Sequence, residues 1–165
     1  MINMLFASIM LLGVAGGFTL PGDDFALLRE ERIGTLRIHS SEREARRTIH
    51  CGLKRGPEEL WGADGAYHQE WMYVDCGLTL GMVSKNKGAP KSIESITVVS
   101  PSALCTRRGI RIGSTAQEVM TAYKSAWNKE ESTPGSFVAG SLCGGLLIQF
   151  ENGTVSRIFL GAAAE

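Results

Sequence analysis

Two short stretches, Leu36–Ala45 (LRIHSSEREA) and Ile110–Val119 (IRIGSTAQEV), decide the fold that this sequence predicts. Position 41 aligns with position 115, and the whole match keeps this offset of 74 residues. Each stretch places an apolar-Arg-Ile stub before a Ser or Thr that is followed three residues later by Glu. In this capping box the hydroxyl accepts a backbone N–H of the first helical turn, and the Glu carboxylate accepts the N–H of the cap residue. The match predicts two helices that begin at equivalent places of an internal repeat.

The segments after both caps predict a helix followed by strands. Apolar residues recur on one helical face from Val119 to Trp127, whereas only Ala45 and Ile49 are apolar after the first cap, so the first helix is expected to be shorter or more exposed. Strand patterns occupy 68–75, 77–84 and 93–100 in the first copy, and 136–140, 146–150 and 154–160 in the second. Asn152-Gly153 between the last two is a hairpin signal, because both turn positions need a positive φ.

These patterns predict an α+β fold made of two tandem helix-then-antiparallel-meander repeats, with the helices on one face of the sheet. The first repeat covers 34–104 and the second covers 105–165, after an N-terminal segment at 18–33. The chain of 165 residues is long enough for one compact domain or for two small ones that share a core.

The first 17 residues have the pattern of a signal peptide. Met4–Val14 is an apolar run of h-region length, small residues follow at 15–17, and polar residues return after Pro21. The segment before the run has no Lys or Arg, and the alternative is a buried N-terminal helix or strand. We expect the signal peptide, and therefore a secreted or periplasmic protein without a membrane span in the mature chain.

The balance of charged residues bears on which classes of partner are expected. Lys plus Arg and Asp plus Glu both count 17, so the formal net charge is zero, and a nucleic-acid partner is not expected.

The four cysteines, Cys51, Cys76, Cys105 and Cys143, lack the close Cys-x-x-Cys spacing of zinc sites, so no metal is expected. An even number in an exported chain predicts two disulfides with three possible connectivities. Cys76 and Cys143 take the same place in the two copies, which favours Cys51–Cys76 and Cys105–Cys143.

The pattern Ile-Gly-Ser-Thr-x-x-Glu-Val-x-x-x-Tyr at 112–123, followed by a meander that ends in x-Asn-Gly-x-Val-x-x-Ile at 151–158, resembles the repeat unit of β-lactamase-inhibitory-protein-like folds. It is also similar to the small outer-membrane assembly lipoproteins of the BamE/SmpA type. His39 stands where these families usually have Gly, and the lipidated Cys of the lipoproteins is missing. The resemblance implies a non-catalytic scaffold that binds a protein or supports the cell envelope.

No catalytic group or cofactor is predicted. The chain has no Gly-x-Ser-x-Gly elbow, and the cysteines are better used as bridges than as nucleophiles. A binding surface is expected on the sheet face turned away from the helices, because strand residues alternate between faces. The candidate residues are Trp71, Tyr73, Thr79, Thr97, Gln149, Arg157 and Phe159. The alternative for Trp71 and Tyr73 is that both aromatics complete the fold.

The sequence thus favours an exported non-catalytic binding module that recognises an unknown protein or a cell-envelope component through the open sheet face. One alternative is a structural or assembly accessory of the envelope without a discrete ligand pocket. The other is an enzyme with an unrecognised site between the repeats.

Overall fold

The computed structural model describes residues 25–163. Three short helices and seven strands are present in this range: α1 (Ala26–Glu30), α2 (Glu42–Thr48), β1 (Lys54–Leu60), β2 (Tyr67–Tyr73), β3 (Leu78–Ser84), β4 (Ser92–Val99), α3 (Ala116–Tyr123), β5 (Ser136–Ser141), β6 (Gly144–Glu151) and β7 (Thr154–Gly161). The expected signal peptide at 1–17 lies outside the described residues.

All seven strands form one antiparallel sheet in the order β1-β2-β3-β4-β7-β6-β5. Strands β1 to β4 follow α2 as one meander, and β5 to β7 follow α3 as another. The two meanders meet where β4 pairs with β7, with Ile96 opposite Leu160 and Val98 opposite Ile158. The mixed helix-and-sheet class is therefore confirmed. Strand β1 is an addition that the sequence did not predict.

Both expected capping boxes are present. The hydroxyl of Ser41 accepts the N–H of Glu44, whose carboxylate accepts the N–H of Ser41 at 2.7 Å. Thr115 and Glu118 make the same reciprocal pair at the start of α3. These bonds satisfy N–H groups that the first turn of a helix leaves free, so both helices begin at the residues that the sequence indicates.

The stub before each helix pairs with a strand in the same way. The N–H of His39 donates to the carbonyl oxygen of Ile93 in β4 (2.7 Å), and the N–H of Gly113 donates to that of Val155 in β7 (2.8 Å). His39 and Gly113 both have left-handed backbones, with φ of 68° and 86°. Histidine is one of the few non-glycine residues found in this region with some frequency, which accounts for its place where the second stretch has Gly.

One core lies between the helices and one face of the sheet. A row of opposite residues crosses six of the seven strands on this face: Trp71, Leu80, Ile96, Leu160, Leu146 and Ala139. Each is at most 1 % exposed, and Ala45 of α2 and Val119 and Tyr123 of α3 join the same cluster. The core thus runs across the pairing of β4 with β7.

The expectation that Trp71 and Tyr73 lie on the open face is wrong. Their side chains are 1 % and 2 % exposed, because Trp71 pairs with Leu80 and Tyr73 with Leu78 on the core face. Strand β2 ends at Tyr73, and the next residue, Val74, begins a one-turn 3-10 helix and is 68 % exposed. Residues 71–74 (WMYV) are all apolar, so alternation at this end of the predicted strand did not determine which set faces the core.

Only one of the two expected disulfides forms. Cys51 and Cys76 are bonded, which ties the chain after α2 to the β2–β3 turn. Cys105 and Cys143 are free and exposed, so the expected Cys105–Cys143 bridge is absent. Cys76 and Cys143 take the same place in the two copies, but their expected partners do not. Cys51 follows α2, whereas Cys105 precedes α3, so Cys143 has no cysteine in the position that Cys51 has for Cys76.

The two edges of the sheet are protected differently. Edge strand β1 carries charges at four of its seven positions, contains Pro57, and is out of register with β2 between Arg55 and Glu58. At the other edge the chain at 127–133 runs beside β5: the N–H of Asn128 donates to the carbonyl oxygen of Val138 (2.9 Å), and Trp127 forms a bridge with Ala139.

Candidate functional site

The open face is the side of the sheet that points away from the core. Its central row of opposite residues is Met72, Thr79, Thr97, Phe159, Leu147 and Val138. The first five are partly exposed, and Val138 is buried. We use "open face" for this row together with the neighbouring residues of the same parity on each strand.

Five of the seven candidate residues lie together on this face. Thr79, Thr97 and Phe159 are consecutive members of the central row, on β3, β4 and β7. Gln149 and Arg157 form the next opposite pair, on β6 and β7. Trp71 and Tyr73 belong to the core, so the aromatic centre expected for the surface is not theirs.

Trp61, in the β1–β2 connection, is an exposed aromatic beside the open face. Its side chain is 51 % exposed. It lines a pocket of about 370 Å³ with Leu147, Gln149, Arg157 and Phe159. It also lines a second pocket of about 340 Å³ on the β2 side. The tip of the β1–β2 hairpin therefore stands over the open face and divides it into two depressions.

The hairpin tip has a defined conformation. The N–H of Trp61 donates to the carbonyl oxygen of Ala66, and the N–H of Gly65 donates back to that of Trp61, each at 2.9 Å. The carboxylate of Asp64 accepts the N–H of Ala66 at 2.9 Å, which is the short side-chain turn that Asp favours. Gly65 has a φ of 69°. Asp and Gly are favoured at such turns because left-handed turn positions select these residues.

Trp61 rests on His68 of β2. The two rings are stacked, with centroids 3.9 Å apart and planes 15° from parallel. Nδ1 of His68 lies 2.7 Å from Oε1 of Glu94, and Nε2 lies 2.9 Å from Oδ2 of Asp64. His68 is only 6 % exposed. Both ring nitrogens are therefore occupied by carboxylates, and the imidazole positions Trp61 and the hairpin tip above the sheet.

The environment of His68 favours its charged form. Burial lowers the pKa of the imidazole, whereas the hydrogen bonds to Glu94 and Asp64 raise it, and the net effect is a pKa above the usual value. The pKa of Asp64 is lowered, first by the N–H of Ala66 and also by His68. A general base would need a ring nitrogen free to face a substrate. His68 instead has the geometry of a structural cation.

Glu94 reaches His68 because β3 has a glycine between them. Strand β4 is out of register with β3 here, so Glu94 lies at an irregularity opposite Gly81 and Met82. A Cβ on Gly81 would lie 3.2 Å from Cγ of Glu94 and would press closer still on the hydroxyl of Ser95. The missing side chain gives the Glu94 carboxylate its path across β3 to the imidazole.

The pocket on the β2 side is acidic. Glu59, Glu70 and Glu94 line it together with Trp61, Pro57 and Ser95. Within residues 25–163, no lysine or arginine lines it. Glu94 is bound to His68, whereas the carboxylates of Glu59 and Glu70 make no hydrogen bond or ion pair with any part of the described chain.

Five residues of this site were not predicted from the sequence: Trp61, Asp64, His68, Glu70 and Glu94. Trp61 and Asp64 lie before the strand predicted at 68–75, and the other three are polar residues of predicted strands whose position on the sheet face depends on strand pairing. A further cavity of about 330 Å³ lies beside the disulfide and is lined by Ile33, Leu36, Ile49, Leu78 and Leu104 among others. In the described part of the chain, no group of three or more His, Cys, Asp or Glu side chains is placed to hold a metal ion. No helix among residues 25–163 is long and apolar enough to cross a membrane.

No protein-family model matches the chain, and neither the curated proteins nor the solved structures contain a significant match to it.

Proposed function

We propose that this protein is an exported, non-catalytic binding module made of two copies of one helix-and-meander unit, and that it recognises a protein or cell-envelope component through the open face. The two-copy proposal is supported by the way in which α2 and α3 begin. Each helix has a capping box at its start and a left-handed residue two positions before the cap. Each stub donates to a strand of its own meander, β4 or β7.

Export is supported by two observations. The Cys51–Cys76 disulfide is a feature of oxidising compartments, where such bonds form and persist. The apolar run at 4–14, followed by small residues, has the pattern of a cleaved leader.

The observation that carries the binding function is the half-exposed Trp61, fixed between two depressions of the open face. Large aromatics and Arg supply most of the energy in protein interfaces, and Trp61, Phe159 and Arg157 line the same pocket. His68 and the hairpin hydrogen bonds hold Trp61 in place before any partner binds. A fixed aromatic loses less freedom on binding than a mobile one does.

The proposal is tested by capture from envelope and culture-medium fractions of the organism that makes the protein. Immobilised wild-type protein is compared with a double variant, Arg157→Ala and Phe159→Ala. We expect the wild type to retain a defined partner that the double variant loses. Val74→Ala is the matched control, because Val74 is exposed and apolar but lies on the β2–β3 turn.

Thermal unfolding of each variant establishes that the fold is intact. Equal capture by the wild type and the folded double variant would contradict a binding role for the open face.

A further inference from the structure

The open face is unevenly charged, and this asymmetry bears on what it binds. Arg157 is the charged residue of the pocket beside β6 and β7, whereas the pocket beside β2 contains Glu59, Glu70 and Glu94. Trp61 lines both pockets. A partner that crosses the face therefore meets a negative region on one side of the indole ring and a positive side chain on the other.

The negative region retains unpaired charge. His68 lies between Asp64 and Glu94, and one imidazolium offsets only one of these two carboxylates. The carboxylates of Glu59 and Glu70 form no ion pair with any other described residue. The pocket therefore has an excess of negative charge that a bound cation would neutralise at short range.

The chemistry of the pocket favours an organic cation. An indole ring attracts Lys and Arg side chains through its electron-rich face, and carboxylates beside the ring add charge-assisted hydrogen bonds. The grouping lacks the convergent ligand set that a metal ion needs, since Glu94 is bound to His68. A pocket of about 340 Å³ is wide enough for one long side chain and its head group.

We propose that the acidic pocket beside Trp61 receives a lysine or arginine side chain of the bound protein. This inference rests on the proposed function and names the chemistry of its partner. The cation binds beside Glu70, lies against Trp61, and sets the orientation of the partner across the open face, with Arg157 at the far side to repel a second cation.

The test uses the full chain, immobilised, and a library of random peptides displayed on phage as the probe. We expect the enriched peptides to share a basic residue. A synthetic copy of one such peptide should bind Trp61→Ala about 3- to 30-fold more weakly than the wild type. It should bind Glu70→Gln roughly 3- to 10-fold more weakly. Glu130→Gln is the control, because Glu130 is an exposed carboxylate of the α3–β5 connection.

A double-mutant cycle identifies the pairing itself. Replacing the basic residue of the peptide by Met should weaken binding to the wild type by the same factor as Glu70→Gln does. The same replacement should weaken binding to the Glu70→Gln variant little further. Absence of this coupling overturns the inference.

Two outcomes separate the inference from the proposed function. Enriched peptides that share no basic residue, but do not bind the Arg157→Ala, Phe159→Ala protein, would overturn the inference that the partner presents a lysine or arginine. They would still support binding through the open face. A library that yields no peptide sensitive to either set of variants would overturn both.

Discussion

At the scale of single residues, His68 is a buried side chain whose role is to hold neighbouring groups in place. Its ring supports Trp61 and is held by carboxylates from two different elements, the hairpin tip and β4. Leaving a buried polar group without its hydrogen-bond partner costs about 1–3 kcal/mol, so loss of the proton that His68 shares with these carboxylates would weaken the cluster. The pose of Trp61 is therefore linked to the protonation of His68.

This linkage predicts a pH dependence. Because the pKa of His68 is raised in the folded chain, the folded state binds the proton more tightly than the unfolded state does. The contribution of His68 protonation to the free energy of unfolding is complete below about pH 6.5, the pKa of an unperturbed histidine. This contribution is lost as the pH rises through the pKa of His68 in the folded chain. Urea unfolding of wild type and His68→Gln from about pH 5 to about pH 9 should give a difference that shrinks with rising pH. His39 and His50 are common to both proteins, so a constant difference would contradict the assignment to His68.

At the scale of elements, strand β3 depends on Gly81 for the passage of Glu94. Gly81→Ala should lower the free energy of unfolding by about 1–3 kcal/mol, because the added Cβ crowds Ser95 and Glu94 of the neighbouring strand. It should also bring the pKa of His68 back toward the usual value, as followed by NMR titration. Gly56→Ala in β1 is the control, since its Cβ would make only ordinary contacts of 3.6 Å and more. An unchanged His68 titration in Gly81→Ala would show that Glu94 does not need this path.

The sequence predicts an element correctly where residues close together in the chain determine it. Ser41 and Thr115 predicted both helix starts, because capping needs only residues within one turn. Residues 71–74 are apolar on both alternating sides, so the face of Trp71 was set by its pairing with Leu80, which a single strand does not encode. Strand β1 was hidden by Gly56-Pro57 and its charges, which are typical of turns but are tolerated on an edge. The acidic pocket depends on several strands at once and was therefore beyond the sequence.

At the scale of the whole molecule, two local meanders are joined by one long-range pairing. Every strand pair other than β4 with β7 connects neighbours in the chain. The core nevertheless runs without a break across that pairing, from Leu80 through Ile96 to Leu160. Residues from both halves therefore belong to the same cluster, and we expect the two halves to unfold together.

The cysteines give a prediction for the whole chain. Replacing Cys51 and Cys76 by Ser should lower the free energy of unfolding by about 3–4 kcal/mol, because the bond closes a segment with a sequence separation of 25 and restricts the unfolded chain. Replacing Cys105 and Cys143 by Ser is the control and should change stability little, since both thiols are free and exposed. Intact-mass analysis of the native protein after maleimide labelling should show two adducts. A loss of several kcal/mol in the control, or no adducts, would mean that the second pair is also bonded.

The protected sheet edges have a consequence for how the protein behaves at high concentration. Fibrils grow when a flat, apolar edge strand offers its free backbone groups to another chain. Here one edge presents charges and a proline, and the other is occupied by the chain's own segment at 127–133. Growth by strand addition is thus opposed at both ends of the sheet. We therefore expect a partner to recognise the protein by its side chains, and the concentrated protein to remain free of amyloid.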